Sequence, residues 1–295
     1  MGGLGNQMFQ YATGWSLARR LGAELSVDRT WLEGEGLFAT ARHYELDAFR
    51  LQTRSAAPNV VSKLERRSEN ALNGLRRKLG LAASVTVLHE ESHAFDARFD
   101  TVSGNVLLVG YWQSERYFVN CAEAIRTEFE LADAPSPRNR ELIEQIRATN
   151  SLSLHVRRGD YVSDETTSRF HGLMPVSYYR KAVELVAEEA GPVEIFVFSD
   201  DINWCKRELA IPGYNLYYVD HNTRGSEDMR LMSACRHHIL ANSSFSWWGA
   251  WLNPDPTKIV IAPARWFQNG SIDSSDLLPQ GWLQLCAREL PGSRL

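Results

Sequence analysis

Four stretches of this chain gather residue types suited to a charged, oxygen-rich ligand. The first is SLSLHVRRGDYV, residues 151–162, where a strand-like run ends on Arg157 and Arg158 with Asp160 close behind. A guanidinium keeps its charge near neutral pH and grips a phosphate through two parallel hydrogen bonds. Side chains alternate along a strand, so one of the two arginines faces a given ligand easily. The competing reading is a salt bridge to a nearby carboxylate. The tripeptide RGD is a chance match and says nothing of adhesion. The second stretch, VEIFVFSDD (193–201), is an apolar run ending on Asp200 and Asp201. A carboxylate there can accept the paired donors of a guanine edge or cap a helix. Adjacent aspartates on a strand diverge, which argues against a metal. The third, HHILANSSFSWWGAWL (237–252), offers Ser243 or Ser244 as the cap of a helix starting near Phe245. The backbone N–H groups at such an end form an anion site; a plain cap is the alternative. Trp247, Trp248 and Trp251 are read as core. The fourth, MGGLGNQMFQYA (1–12), has a glycine trio ahead of a helical pattern, with Asn6 and Gln7 offering neutral hydrogen bonds to sugar or phosphate oxygens.

The elements that must position these residues alternate between strand-like and helix-like runs, which predicts α/β layers with parallel sheets. Met8, Tyr11, Trp15 and Ala18 recur at helical spacing, with Gly22 as the stop. Strands are expected at 25–31, 85–90, 106–112, 151–156, 193–201, 216–220, 237–242 and 258–263, and helices at 63–79, 117–129, 137–149, 175–190 and 226–236. The stretch ADAPSPRN (132–139) is the expected boundary zone, giving domains over 1–149 and 150–295. The helix at 137–149 could join either side. Ligands of open parallel sheets bind beyond the carboxyl ends of strands. Three such ends in the second half carry HVRRGD, FSDD and ANSSFS, and their convergence is the main reason to expect a site there.

The chain has 295 residues, a net charge of -4 and a pI of about 6.1, so no nucleic-acid partner is expected and the arginine pair is read as local. Cys121, Cys205, Cys235 and Cys286 are far apart and show no metal-ligand spacing, which fits free thiols in a reducing compartment. His237 and His238 are neighbours in sequence and are read as structural rather than metal-binding. No apolar run approaches the roughly 18 residues of a membrane span. A cytoplasmic protein is expected. The basic helix expected at 63–79 is read as a solvated face, with peripheral contact to the inner membrane as its alternative.

Together, GGLGNQMFQYA (2–12), GYWQSERYF (110–118), HVRRGDYV (155–162), FSDD (198–201) and ANSSFSWWGAWL (241–252) resemble the bacterial α-1,2-fucosyltransferases of glycosyltransferase family 11, in family order. The resemblance implies a GT-B architecture, two Rossmann-like domains facing across a cleft, with the donor bound mainly by the second and the acceptor by the first. It implies inverting transfer of L-fucose from GDP-β-L-fucose to the 2-hydroxyl of a terminal β-galactoside, in surface polysaccharide or O-antigen assembly, with a glycan acceptor that is lipid-linked, and with no metal or other cofactor. Another GDP-deoxyhexose donor or linkage, or a noncatalytic GDP- or glycan-binding relic, are the alternatives. By the resemblance, His155 lies near the nucleoside and Asp200 near guanine. Arg157, then Arg158, meets the diphosphate, as do Ser243, Ser244 and the backbone at Phe245. Asn6 reaches toward the fucose and diphosphate. An inverting transfer needs one base for the acceptor hydroxyl. Asp160 is a candidate, equally a partner for the arginines, and Asp164, Glu165 and His171 stay open. Arg42, His43, Tyr44 and Glu45 are polar enough to touch the acceptor. Family members begin with a short apolar strand before the glycine loop; this chain starts at the loop, so the first strand of the N-terminal sheet is expected to be missing.

Overall fold

The computed structural model describes residues 2–33, 43–51, 54–56, 85–163, 165–270 and 272–287, together with Val60, Lys63 and Leu64. The expected helix at 63–79 lies outside these residues apart from its first two. The chain forms two compact units: Met1–Glu130 with Asp273–Leu277, and Leu131–Ile272 with Leu278–Leu295.

In the first unit α1 (Leu4–Leu21) buries Leu4, Met8, Phe9, Tyr11 and Leu17. Gly22 ends it at φ 62°, its N–H returning to the carbonyls of Ala18 and Arg19. That left-handed conformation suits glycine, which has no Cβ to clash. Next come β1 (Ser26–Val27), α2 (Thr30–Glu33), β2 (Arg54–Ser55), β3 (Thr86–His89), α3 (Arg98–Thr101), β4 (Val106–Val109) and α4 (Ala122–Glu128). The strand expected at 25–31 stops after Val27, because Asp28 accepts the Thr30 N–H at 2.8 Å and opens α2. The helix expected from 117 is shorter, beginning only at Ala122 after two 3₁₀ turns. Phe129 anchors the core, its ring 5.5 Å from Tyr11 and 5.2 Å from Phe49. The strands pair in parallel as two separate ladders, β1 with β2 and β3 with β4.

The second unit contains α5 (Pro137–Ala148), β5 (Ser151–Val156), α6 (Gly159–Ser163), α7 (Glu165–His171), α8 (Val176–Ala190), β6 (Glu194–Ser199), α9 (Ile202–Glu208), β7 (Leu216–Tyr218), α10 (Gly225–Ala234), β8 (His237–Ile239), α11 (Ser244–Leu252), β9 (Val260–Pro263) and β10 (Leu283–Leu285). Its six strands run parallel in the order β10-β9-β8-β5-β6-β7. The period-two alternation of strands sorts the two faces. Leu152, Leu154, Val156, Ile195 and Val197 pack with Tyr178, Tyr179 and Val183 of α8. Phe196 and Phe198 pack with Leu142 and Ile146 of α5 and with Leu231 and Met232 of α10. Each such buried aliphatic or aromatic side chain contributes about 1.5–3 kcal/mol. Because α5 is covered by this second face, the chain divides at Glu130–Leu131, upstream of the expected 149/150. Ser136 caps α5, accepting the Asn139 N–H at 3.2 Å, with Pro137 in the first turn where its missing N–H costs nothing.

Candidate functional site

The strand order places β8, β5 and β6 side by side. Their carboxyl ends are the three that carry the polar motifs, so the convergence expected from sequence is realised in the sheet. The order also reverses between β5 and β8, the kind of switch point where open α/β sheets hold ligands.

At the end of β5, Arg157 meets Asp200 from the end of β6, Nη1 to Oδ2 at 3.0 Å. The other oxygen of Asp200 accepts the Arg158 N–H at 2.8 Å. A Cβ at Gly159 would lie 2.7 Å from Asp200 Oδ2, so a larger residue there would have to displace that carboxylate. Arg158 turns the other way, its guanidinium carbon 3.9 Å from the centre of the Trp204 ring and its Nε 3.4 Å from Asp201 Oδ2. Asp201 also caps α9, accepting the Trp204 N–H at 3.0 Å. Of the two arginines, Arg157 is thus held rigidly by a carboxylate that sits at a neighbouring strand end. Arg158 makes a ring stack and a longer ion pair. The salt-bridge reading holds for both arginines, and a bridged guanidinium is kept in a fixed plane. Asp200 thus engages both arginines.

His155 points to the face opposite Leu154 and Val156 and is 3% exposed. Its ring centre is 5.4 Å from that of Phe245, and its Nδ1 has no hydrogen-bond partner among the described residues. Burial drives its pKa down to about 4, with Asp200 pulling up and Arg157 pushing down. The ring is therefore neutral at pH 7. Ser243 caps α11, its Oγ accepting the Phe245 N–H at 3.3 Å. That N–H serves the cap in this structure. Ser244, half-buried, begins the helix. Trp247 and Trp248 are fully buried and Trp251 nearly so, as core.

Sequence reasoning missed two supports. Tyr161 lies under Arg157, guanidinium carbon to ring centre 5.6 Å, and stacks on His171 at 4.8 Å and 3°. Asn242 ties three segments together, its amide donating to the carbonyls of His171 (2.7 Å), Gly172 and Trp266. Both lie in stretches singled out from the sequence, but no local spacing assigns them these partners. The backbones of Asp160 and Glu165 lie in α6 and α7, while their side chains and all of Asp164 fall outside the described residues.

His237 and His238 have structural partners on both ring nitrogens. His237 Nδ1 accepts the Ile259 N–H at 3.0 Å, and its Nε2 meets Asn150 Oδ1 at 3.1 Å. His238 bridges Ser153 Oγ (2.9 Å) and Asn253 Nδ2 (3.0 Å). No group of three or more His, Cys, Asp or Glu side chains is placed to hold a metal among the described residues.

In the first unit the start of α1 carries a second polar cluster. Gln7 is 2% exposed, donates to the carbonyls of Gly2 (2.9 Å) and His43 (2.8 Å) and accepts the Glu45 N–H (3.0 Å). Both ends of its amide bond to backbone, so it braces the loop. Asn6 is half-buried, and its Oδ1 accepts a bond from Gln113 Nε2 at 2.7 Å. That bond fixes the flip of the Asn6 amide. Gln113 is itself set by Glu90, whose two oxygens accept the Tyr111 and Trp112 N–H groups at 2.7 and 2.8 Å. Trp112 stands at φ 59°, a strained conformation for a large residue, and burial raises the Glu90 pKa. Arg42 lies outside the described residues.

The sequence profile of glycosyl transferase family 11 matches residues 87–285. The alpha-1,2-colitosyltransferase of Escherichia coli is 36% identical over 295 residues, covering 96% of each chain. The O-antigen biosynthesis glycosyltransferase WbnK of Escherichia coli is 32% identical over 312 residues, covering 96% of this chain and 98% of that one. Among solved structures, POFUT1 in complex with GDP aligns over 89% of this chain and 95% of that one, at 11% identity and a TM-score of 0.48. No described helix is long and apolar enough to cross a membrane. A profile match over most of the chain, with relatives similar from end to end, makes this protein a member of glycosyl transferase family 11.

Proposed function

We propose that this glycosyltransferase moves L-fucose from GDP-β-L-fucose to the 2-hydroxyl of a terminal β-galactoside, with inversion, in O-antigen assembly. The observation that carries the reading is the Asp200-held Arg157 at the end of β5, beside the capped start of α11 and at the switch point of the sheet. Breaking a sugar–phosphate bond builds negative charge on the diphosphate. A guanidinium already fixed in place stabilises that charge with no reorganisation at the moment of reaction. The N-terminal end of α11 adds its dipole. Neutral His155 and the Phe245 ring form an uncharged wall suited to a nucleoside. Arg157 acts on the leaving group; Asp160 and Glu165, with Asp164 and His171, are the candidates for the base that takes the acceptor proton.

A second donor has specific support, because the E. coli relative at 36% identity transfers colitose by its name. Colitose is L-fucose without its 3-hydroxyl. A site that hydrogen-bonds this hydroxyl rejects the deoxy sugar strongly, by about 10⁴-fold, whereas an apolar contact there discriminates only about 10²-fold or less. Incubation with GDP-fucose or GDP-colitose and lactose, with products read by mass spectrometry and linkage by NMR, decides the matter. A fucosylated α-1,2 product supports the reading. Transfer of colitose alone replaces the donor, and no product from either rejects both. Activity is expected to survive EDTA; loss restored by magnesium or manganese would refute metal-free transfer.

A further inference from the structure

In the first unit β3 and β4 end level, His89 opposite Val109, and a carboxylate shapes the corner that follows. Glu90, the residue after β3, takes the Tyr111 N–H with one oxygen and the Trp112 N–H with the other, at 2.7 and 2.8 Å. The Gln113 N–H adds to that hold. Successive N–H groups turned to one side form a nest for an anion, and here the anion is the protein's own carboxylate. Trp112 supplies the left-handed step that a nest uses, at φ 59°, the one non-glycine residue with positive φ among the described residues. Such strain persists where the surroundings fix it, and it gathers at functional sites. Gly110 is fitted to the same contact, since a Cβ there would lie 2.4 Å from Glu90 Cβ. Helix α1 braces the corner with two residues one turn apart. Gln10 Nε2 donates to the Gly110 carbonyl at 3.0 Å, and Asn6 Oδ1 accepts from Gln113 Nε2 at 2.7 Å. The return bond of a closed amide pair is not made. Neither Asn6 Nδ2 nor Gln113 Oε1 has a hydrogen-bond partner among the described residues.

We propose that Asn6 and Gln113 together read one hydroxyl of a sugar substrate, Asn6 Nδ2 donating to its oxygen and Gln113 Oε1 accepting its proton, and that Glu90 is the positioning residue that holds the pair. A hydroxyl both accepts and donates, so one group serves both amide ends. Ionised phosphate oxygens only accept and would leave Gln113 Oε1 without a donor. The charge of the corner points the same way. Glu90 forms no ion pair among the described residues, and burial raises its pKa against the pull of three N–H groups. A carboxylate with no cation beside it repels an anion, so the corner suits a neutral, hydroxylated ring and not a diphosphate. Gln113 is 9% exposed, so solvent does little to satisfy its oxygen. Both oxygens of Glu90 are engaged by backbone, which makes it a support rather than the base that takes the acceptor proton. The inference rests on the proposed transfer between sugars, though not on which sugar moves. The hydroxyl belongs to the transferred sugar or to the acceptor, and the two sources give different results.

The test measures kcat/KM in the full chain for sugars lacking one hydroxyl. Methyl β-galactoside and GDP-fucose are each compared with singly deoxygenated forms, the nucleophilic hydroxyl excepted. In the parent, loss of the hydroxyl that is read should cost about 100-fold or more, and Gln113→Met should shrink that ratio to about tenfold or less. Glu90→Gln keeps the size but turns an amide NH2 toward a backbone N–H, and it should shrink the same ratio and no other. The double variant should shrink it no further than Gln113→Met alone, since Glu90 acts through Gln113. The series that responds names the sugar. Unchanged ratios in both single variants would overturn the proposal, as would an effect of Glu90→Gln confined to Tm, the mark of a purely structural carboxylate. If Glu90→Gln does not fold, Glu90→Asp, which draws the carboxylate back, takes its place. If the parent transfers no sugar, the proposed function fails and binding reads this inference by itself. The side-chain amide signals of Asn6 and Gln113 in the ¹⁵N-labelled chain are then expected to move with methyl β-galactoside or methyl α-fucoside and to stay in place with inorganic phosphate. Movement with phosphate alone, or with none of these, would reject it.

Discussion

At the residue scale, the candidate site is built on a charged pair rather than a single arginine. Asp200 holds Arg157 with one oxygen and the Arg158 backbone with the other. Arg157→Ala should lower GDP affinity about 100-fold or more, the cost of a lost charge-assisted bidentate contact. Isothermal titration on a folded variant checks it, and unchanged affinity rejects the assignment. Asp200→Asn keeps the shape and removes the charge. It should weaken GDP about 10-fold through a loosened Arg157, and a fully retained affinity would place Asp200 elsewhere in the mechanism. In the first unit, Gln113→Ala releases the Asn6 amide. A fall in kcat/KM of about 10-fold is expected, with rescue by Gln113→Asn absent because its donor falls short of Asn6 Oδ1. An unaltered rate would leave the Gln113–Asn6 bond purely structural.

At the element scale, the caps and faces of the second unit carry the stability of the site. Ser243→Ala removes the cap of α11 and should cost about 1 kcal/mol, lowering Tm by roughly 2–4 °C. A calorimetric Tm within error of the parent would show the cap contributes nothing. Buried His155 contributes a pH dependence. Its pKa is depressed in the folded state, to about 4, below the ordinary 6.5. The unfolded chain then takes up a proton that the folded one refuses as pH falls from about 6.5 to 4. Stability from this group is complete above pH 6.5 and is lost toward pH 4, by about 3 kcal/mol in all. Denaturant melts from pH 7 to 4 should show His155→Gln with a shallower decline. Parallel curves would mean other groups set the slope, His238 among them, since burial also lowers its pKa.

At the scale of the whole molecule, the two units differ in the sheets that their described residues form. The second unit has an unbroken six-stranded sheet with α-helices covering both faces. The described residues of the first form two short ladders beside a cavity. Heat should act on them unequally. Amides of β5 and β6 are expected to exchange only on global unfolding, while those of β1 and β4 exchange through smaller openings at lower free energy. Hydrogen exchange with mass spectrometry reads the two sets separately, and a single exchange regime across both units would show them to unfold as one.

What the sequence by itself determined is the class of the fold, the family and the polar strand ends, because periodicity and motif chemistry are local. The α/β alternation, the stop at Gly22, the tryptophans of α11 as core and the bridging of His237 and His238 to structural partners were all legible in short windows. Only the tertiary structure decided which carboxylate holds which arginine, since Asp200 and Arg157 lie on different strands and meet through sheet order alone. It also decided that Gln7 serves backbone, that Arg158 stacks on Trp204, and that α5 packs with the second sheet. Each of these depends on partners distant in sequence, and no local spacing encodes which of several equally suitable groups the packed chain brings within reach.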